Sequence, residues 1–209
     1  MENQHQQIME IANHLWLQGM MPAGDGNISA RVEVEKYLIT ASRVSKGFLQ
    51  PNQVLFIDSS GKVLGGDGDV SSEVALHLKA YCIRGDINAI IHAHPPYASA
   101  FACTGKELPI DLLSEVIVKL GKKIPIAPFA LPSSEQTAEI AEPFIREFNG
   151  FLLKNHGAVT LGRTLEEAFL RMELIEHLAK VTILSKMLGK YEQISSEAMF
   201  ALEAMAEKW

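Results

Sequence analysis

The chain has 209 residues, 47% of them hydrophobic and 21% charged, with a formal net charge of −6 and a pI near 5.7. That length suits one domain over 1–209 with a substantial buried core, and an acidic chain with no basic stripe argues against nucleic acid as a partner. No apolar run approaches the roughly 20 residues of a membrane span, and the start, MENQHQQIME, lacks the basic and apolar stretches of a signal peptide, so a cytoplasmic location away from the membrane is expected.

In chain order, Ile8, Ile11, Ala12, Leu15 and Trp16 recur at helical spacing and Gly19 closes a first helix. A polar stretch, Gly24-Asp25-Gly26-Asn27, precedes a strand at 36–40; a strand at 54–58 then turns through Ser59, Ser60 and Gly61 into 62–64. Ser71 or Ser72 reads as the N-cap of a helix from 73 to about 83. Residues 87–94, INAIIHAH, suit a strand of a buried sheet, which Pro95 and Pro96 stop. A short helix at 111–120 leads to an interrupted edge strand at 124–128. Ser133 through Gln136 has the pattern of a capping box for a helix ending near Asn149 and Gly150. Residues 151–156 and 158–161 read as two strands hinged at Gly157, and Thr164 with Glu167 opens a long helix ending near Gly189. Cys82 and Cys103 lack metal-type spacing and read as buried free thiols. Helices alternating with strands, joined by hairpins as well as helical crossovers, predict an α/β fold with a mixed sheet.

His92 and His94 lie two apart on a strand, so both imidazoles leave one face, with the small Ala93 pointing away. His156, at another strand end, is the best third ligand. Three protein ligands with open positions suit a catalytic metal, whereas a structural site is closed. An HxH pair on a strand also occurs without a metal, and His5, His14 and His177 read as surface or boundary residues. Glu73 opens a helix, where the helix dipole alone would explain a carboxylate. Ser71 and Ser72 fit either a cap or an anion site at that helix start. His77, one turn after Glu73, reads as a packing residue that could also orient the carboxylate.

Together, Gly26-Asn27-Ile28-Ser29, Ile39-Thr40-Ala41-Ser42, Ser71-Ser72-Glu73, His92-Ala93-His94 and Asn155-His156-Gly157 resemble, in order and spacing, the class II aldolase and adducin head-domain family, typified by L-fuculose-1-phosphate aldolase. The resemblance implies a three-layer α-β-α fold around a mixed, largely antiparallel sheet. It implies one divalent metal per subunit, zinc or else manganese or cobalt, on His92, His94 and His156, with Glu73 as the acid/base. Gly26, Asn27, Ser42, Ser71 and Ser72 would hold the substrate phosphate, and a homotetramer would place sites at subunit interfaces. The implied reaction cleaves a ketose 1-phosphate to dihydroxyacetone phosphate and an aldehyde through an enediolate. Arg43 stands where the fuculose-phosphate enzyme has Gly, and with Lys46 it either strengthens phosphate binding or faces solvent. Tyr residues that enzyme contributes near 111–115 and at its C-terminus are missing here, which favours a 5-deoxypentulose 1-phosphate over L-fuculose 1-phosphate. Glu115 and Tyr97 are candidates for a second proton donor from a neighbouring subunit. The alternatives are a 5-methylthioribulose-1-phosphate dehydratase of the same fold, a pentulose-phosphate 4-epimerase, and a non-catalytic adducin-like binding module.

Overall fold

The structure is a computed structural model that describes residues 2–131 and 135–206. In chain order the elements are α1 (Glu2–Leu17), β1 (Asn27–Glu33), β2 (Lys36–Thr40), β3 (Val54–Asp58), β4 (Val63–Gly65), α2 (Val74–Ile83), β5 (Ala89–Ala93) and α3 (Pro96–Thr104). Then follow α4 (Ser114–Leu120), β6 (Ile126–Ala127), α5 (Glu135–Glu147), β7 (Gly150–Leu153), β8 (Gly157–Gly162), α6 (Leu165–Leu188) and α7 (Ser196–Ala206). The strands form one sheet in the order β4-β3-β2-β1-β5-β8-β7-β6. Every pairing is antiparallel except that of β6 with β7, so the sheet is mixed and largely antiparallel, as the sequence predicts.

Strand alternation divides the core into two layers. Ile28, Ala30, Leu38, Ala89, Ile91 and Ala93 face α1, α3, α4 and α6, which contribute Leu15, Ala98, Val116 and Met172. The opposite face carries Ile39, Leu55, Ile90, Phe151 and Val159, packed on Leu76 and Ala80 of α2 and on Ala141 and Ile145 of α5. Burying two such faces is what stabilises a sheet sandwiched between helices.

Several sequence expectations shift. β1 is an added strand between β2 and β5, and α3 and α7 are added helices; β5 stops at Ala93 ahead of Pro95 and Pro96, as expected, and Pro96 then occupies the first turn of α3, where its missing N–H costs nothing. The helix expected from Glu73 begins at Val74, with Glu73 in the cap position. Gly157 is the first residue of β8 and not the hinge: the reversal lies in the preceding turn, where Asn155 takes a positive φ of 57°. The capping box expected from Ser133 lies outside the described residues for its first half. Cys82 and Cys103 are free but exposed, on the outer sides of α2 and α3. At α6, Thr164 accepts from the Glu167 N–H (3.1 Å), while Glu167 reaches the Arg163 N–H (2.6 Å) instead of closing the box on Thr164. No helix is long and apolar enough to cross a membrane among the described residues.

Candidate active site

Three segments far apart in sequence converge at one end of the central strands. β5 pairs with β1 and β8, which puts His92 opposite Asn27 on one side and Val159 on the other. His94 follows the strand and is held by its N–H to the Met20 carbonyl (2.7 Å). His156 closes the turn before β8, its N–H donating to the Leu153 carbonyl (3.1 Å). Gly157 is required next to it by packing: a Cβ there would lie 2.3 Å from the Ala93 carbonyl oxygen and 2.8 Å from the His94 ring.

One ring nitrogen from each of His92, His94 and His156 lies within 4.8 Å of the others. The ring centroids are 4.7 to 5.0 Å apart and the planes are mutually inclined by 63 to 65°. His92 donates its Nδ1 proton to the Ala158 carbonyl (3.0 Å), leaving the Nε2 lone pair to face the cluster. Burial, then the neighbouring His92, push the His94 imidazole down to about 3. The same two causes lower His156.

Glu73 completes the group. It makes no cap hydrogen bond to α2; its carboxylate turns inward, with Oε2 3.2 Å from His92 Nε2 and Oε1 3.4 Å from His156 Nε2. Burial opposes its ionisation, but the neighbouring His92 and His156 and a hydrogen bond from Asn27 outweigh it and hold the carboxyl below its ordinary value. Oε1 is buried with no hydrogen-bond partner. Two imidazole nitrogens 3.1 Å apart, on His92 and His94, and the orphaned carboxylate oxygen 3.4 Å from His156 Nε2 gather acceptors with no donor between them. The three imidazoles fit a divalent cation, because neutral imidazoles are what borderline metals bind, and the carboxylate beside them adds favourable charge.

Of the residues expected at a phosphate, Asn27 and Ser71 meet directly (Nδ2 to Oγ, 3.0 Å), and Asn27 also donates to Glu73 Oε2 (2.9 Å). Gly26 lies against the His92 carbonyl, with no room for a Cβ. Ser72 is exposed beside Ser71. Ser42 and Arg43 sit one loop further out, joined to the 66–71 loop through Asp69: the Ser42 N–H donates to its carbonyl (2.9 Å) and Arg43 pairs with its carboxylate (2.5 Å). Arg43 adopts φ 57°, a conformation natural to Gly. Lys46 fits neither sequence reading, since its buried ammonium donates inward to the carbonyls of Gly24 (2.9 Å), Val44 (2.9 Å) and Ala41 (3.4 Å). Burial lowers it to about 8 against the pull of Asp25. Tyr97 donates its N–H to Glu176 with Lys180 over its ring, and Glu115 is exposed on α4, so neither joins the cluster within this chain.

Sequence reasoning undervalued His77, read Ser29 only as part of the stretch at 26–29, and gave Tyr81 and Asp25 no part in the site. Asp25 stands 4.0 Å from His94 Nδ1. His77 bonds to Asn27 (2.5 Å) and Ser29 (2.6 Å), and Ser29 to Tyr81 (2.8 Å). The four-residue spacing of Glu73, His77 and Tyr81 was the available signal.

Residues 6–183 match the family model described as Class II Aldolase and Adducin N-terminal domain. The chain is 33% identical to an L-fuculose phosphate aldolase of Methanocaldococcus jannaschii over 184 residues, 88% of this chain and 98% of that one. It is 29% identical to a 5-deoxy-D-ribulose 1-phosphate aldolase of Bacillus thuringiensis serovar kurstaki, covering 100% and 96%. It is equally 29% identical to a 3-oxo-tetronate 4-phosphate decarboxylase of Haemophilus influenzae, covering 85% and 86%. A solved L-fuculose 1-phosphate aldolase superposes with a TM-score of 0.87 at 30% identity, covering 98% and 94%.

Proposed function

We propose that this chain, which belongs to the class II aldolase and adducin N-terminal domain family, is a divalent-metal-dependent aldolase that cleaves a ketose 1-phosphate to dihydroxyacetone phosphate and an aldehyde. The observation that carries the proposal is the convergence of His92, His94 and His156 on the orphaned carboxylate of Glu73. The three imidazoles would hold the cation, zinc by preference, with manganese and cobalt next because a carboxylate stands beside them. Bound there, the cation supplies Lewis-acid stabilisation of the oxygen charge that develops as the carbon–carbon bond breaks.

The chain's own residues do the rest. In the condensation direction Glu73 removes a proton from the carbon that attacks the aldehyde; in cleavage it takes up the proton released as the substrate hydroxyl becomes the aldehyde carbonyl and returns one to the carbon that loses its aldehyde portion. Its lowered pKa makes it a carboxylate at neutral pH, and therefore ready as the base. Gly26, Ser42, Ser71 and Ser72 would cradle the phosphate, with Arg43 at the rim. Asn27 is shared between that cradle and Glu73, because its amide already donates to both Ser71 and Glu73. Fixing the phosphate away from the reacting carbons holds the ketose in one orientation, worth several kcal/mol of barrier.

The similarity to a 5-deoxy-D-ribulose 1-phosphate aldolase over the whole chain, and the absence of the Tyr residues noted above, support a 5-deoxypentulose 1-phosphate as substrate. A cytoplasmic homotetramer of single-domain subunits completes the proposal, supported by exposed apolar side chains such as Phe48, Met187, Leu188 and Phe200. The decarboxylase relative favours a second reading, loss of carbon dioxide from a 3-oxo acid phosphate, because the same cluster can stabilise the carbanion left behind. Product analysis separates the two. Dihydroxyacetone phosphate from a 5-deoxypentulose 1-phosphate, formed only with metal and with Glu73 intact, supports the aldolase. Carbon dioxide from a 3-oxo acid phosphate, with no ketose cleavage, replaces it.

A further inference from the structure

We propose that His77 is a positioning residue for Glu73, acting through the side-chain amide of Asn27; the proposal rests on Glu73 being the proton-transfer group. β1 and α2 interlock along one line. Asn27, Ser29 and Arg31 project from one face of the strand at two-residue spacing, and Glu73 at the cap, His77 and Tyr81 follow one face of α2 at four-residue spacing. Between them runs a buried chain of contacts. Asn27 meets Glu73 (2.9 Å) and His77 (2.5 Å); Ser29 meets His77 (2.6 Å) and Tyr81 (2.8 Å); the Arg31 guanidinium donates to the Tyr81 carbonyl (2.7 Å).

Donor and acceptor counting gives this chain a direction. The Tyr81 hydroxyl donates to Ser29 Oγ, and Ser29 donates to His77 Nδ1. The remaining His77 proton is then on Nε2 and goes to Asn27 Oδ1, so the Asn27 NH2 group must face Glu73 Oε2 and Ser71 Oγ. Running the chain the other way would place the Asn27 carbonyl against an ionised carboxylate, two acceptors in contact. Ser71 cannot decide the matter, since a hydroxyl serves as donor or acceptor. His77 can, because it is fully buried and its ring has no other orientation that satisfies both neighbours.

The consequence for Glu73 is specific. Its Oε1 has no hydrogen-bond partner and it makes no cap bond to its own helix, so the amide of Asn27 supplies its hydrogen bond. An Asn27 side chain free to turn over would leave the carboxylate without that tether. A displacement of about 1 Å at a reacting group costs on the order of 100-fold in rate.

The test uses the metal-loaded protein with His77→Phe and His77→Gln. Glutamine places an amide nitrogen near the position of Nε2 and restores the donor to Asn27; phenylalanine fills the space and donates nothing. For His77→Phe, kcat is expected to fall about 10- to 100-fold, with KM and the competitive inhibition constant of inorganic phosphate, which the Gly26, Ser42, Ser71 and Ser72 groups still serve, rising by no more than about threefold. His77→Gln is expected to recover most of the loss. Asn27→Ala combined with His77→Phe is expected to be no slower than Asn27→Ala alone, because both changes remove one tether. If His77→Phe fails to fold, Ser29→Ala and Tyr81→Phe take its place and each should lower kcat by a smaller factor. A folded His77→Phe variant with wild-type kcat overturns the proposal. So does a rise in KM and in the phosphate constant with kcat intact, which would make Asn27 a phosphate ligand only. A separate arm needs no turnover: in metal-free protein labelled with side-chain 15N-asparagine, the Asn27 NH2 resonances should move in His77→Phe and stay in place in His77→Gln. Absence of ketose-phosphate cleavage by the wild type would strike the aldolase reading, while unmoved resonances in His77→Phe would strike this one.

Discussion

Glu73 can be changed to glutamine with little disturbance of shape, since an amide oxygen can still accept from Asn27 at the place where Oε2 now stands. What disappears is the ability to take up and give back a proton. Glu73→Gln is therefore expected to lower kcat by about 10²- to 10⁴-fold while metal content by mass spectrometry stays at the wild-type value; undiminished turnover would remove Glu73 from the chemistry. Gly157 is a different kind of requirement. The Ala93 carbonyl that a Cβ would strike at 2.3 Å is backbone within the central strand and cannot swing aside. Gly157→Ala is expected to cost about 1–3 kcal/mol by overpacking, read as a lower urea midpoint with an unchanged slope, and to weaken metal retention because the His94 ring is the second atom group struck. Arg43 makes a contrasting case: its side chain is 80% exposed, its guanidinium is taken up by Asp69, and its backbone is in the left-handed region. Arg43→Gly relieves that backbone while losing a surface pair worth little. Thermal stability should stay within a few degrees of wild type and KM should rise no more than about threefold; a rise of tenfold or more would place the guanidinium on the phosphate.

At the level of elements, the pairing of β1 with α2 explains both what could be read from the sequence and what could not. β2, β3, β5 and β8 were legible because each carries a run of apolar residues that fills both layers of the core, such as Leu38 and Ile39, Leu55 and Phe56, Ile90 and Ile91, and Ala158 and Val159. β1 was not, because NISARVE places Asn27, Ser29 and Arg31 on the face turned toward α2, where a core strand would carry Val or Ile. A strand that gives one face to the site loses the pattern by which strands are found. The cluster of His92, His94, His156 and Glu73 was readable from spacing and family resemblance. His77 was undervalued because a histidine among apolar helix residues has the same appearance whether it packs or positions. Its burial has a measurable consequence. Desolvation, then the neighbouring His92, outweigh the attraction of Glu73 and lower His77 to about 3 from 6.5. Between those values the unfolded chain binds a proton there and the folded one does not, so this contribution is fully present above pH 6.5 and is lost as the pH falls toward 3. Metal-free protein should lose stability across that window, and the pH dependence of its urea midpoint should flatten in His77→Gln. An unchanged slope would mean that His77 is protonated in the folded state.

Across the whole molecule, the three candidate ligands and Glu73 come from α2, β5 and the β7–β8 turn, parts that the chain connects only through long excursions around the sheet. The two apolar layers hold these parts together without any ion, through Ile91 and Ala93 on one face and Ile90 and Val159 on the other. The metal-free protein is therefore expected to fold, in contrast to small domains whose only core is their zinc. A cation that binds three imidazoles present only in the folded arrangement must nonetheless stabilise that arrangement, by about 4 kcal/mol when free metal exceeds its Kd a thousandfold. Protein stripped with a chelator should thus show a cooperative unfolding transition, and its Tm should climb with added zinc, manganese or cobalt in the order of their affinities. His94→Ala keeps the two layers and removes one ligand, so its metal-free Tm should match the wild type while the climb on adding metal is largely lost. Equal climbs in the two proteins would place the ion elsewhere, and no climb in either would leave the three histidines without a metal to hold.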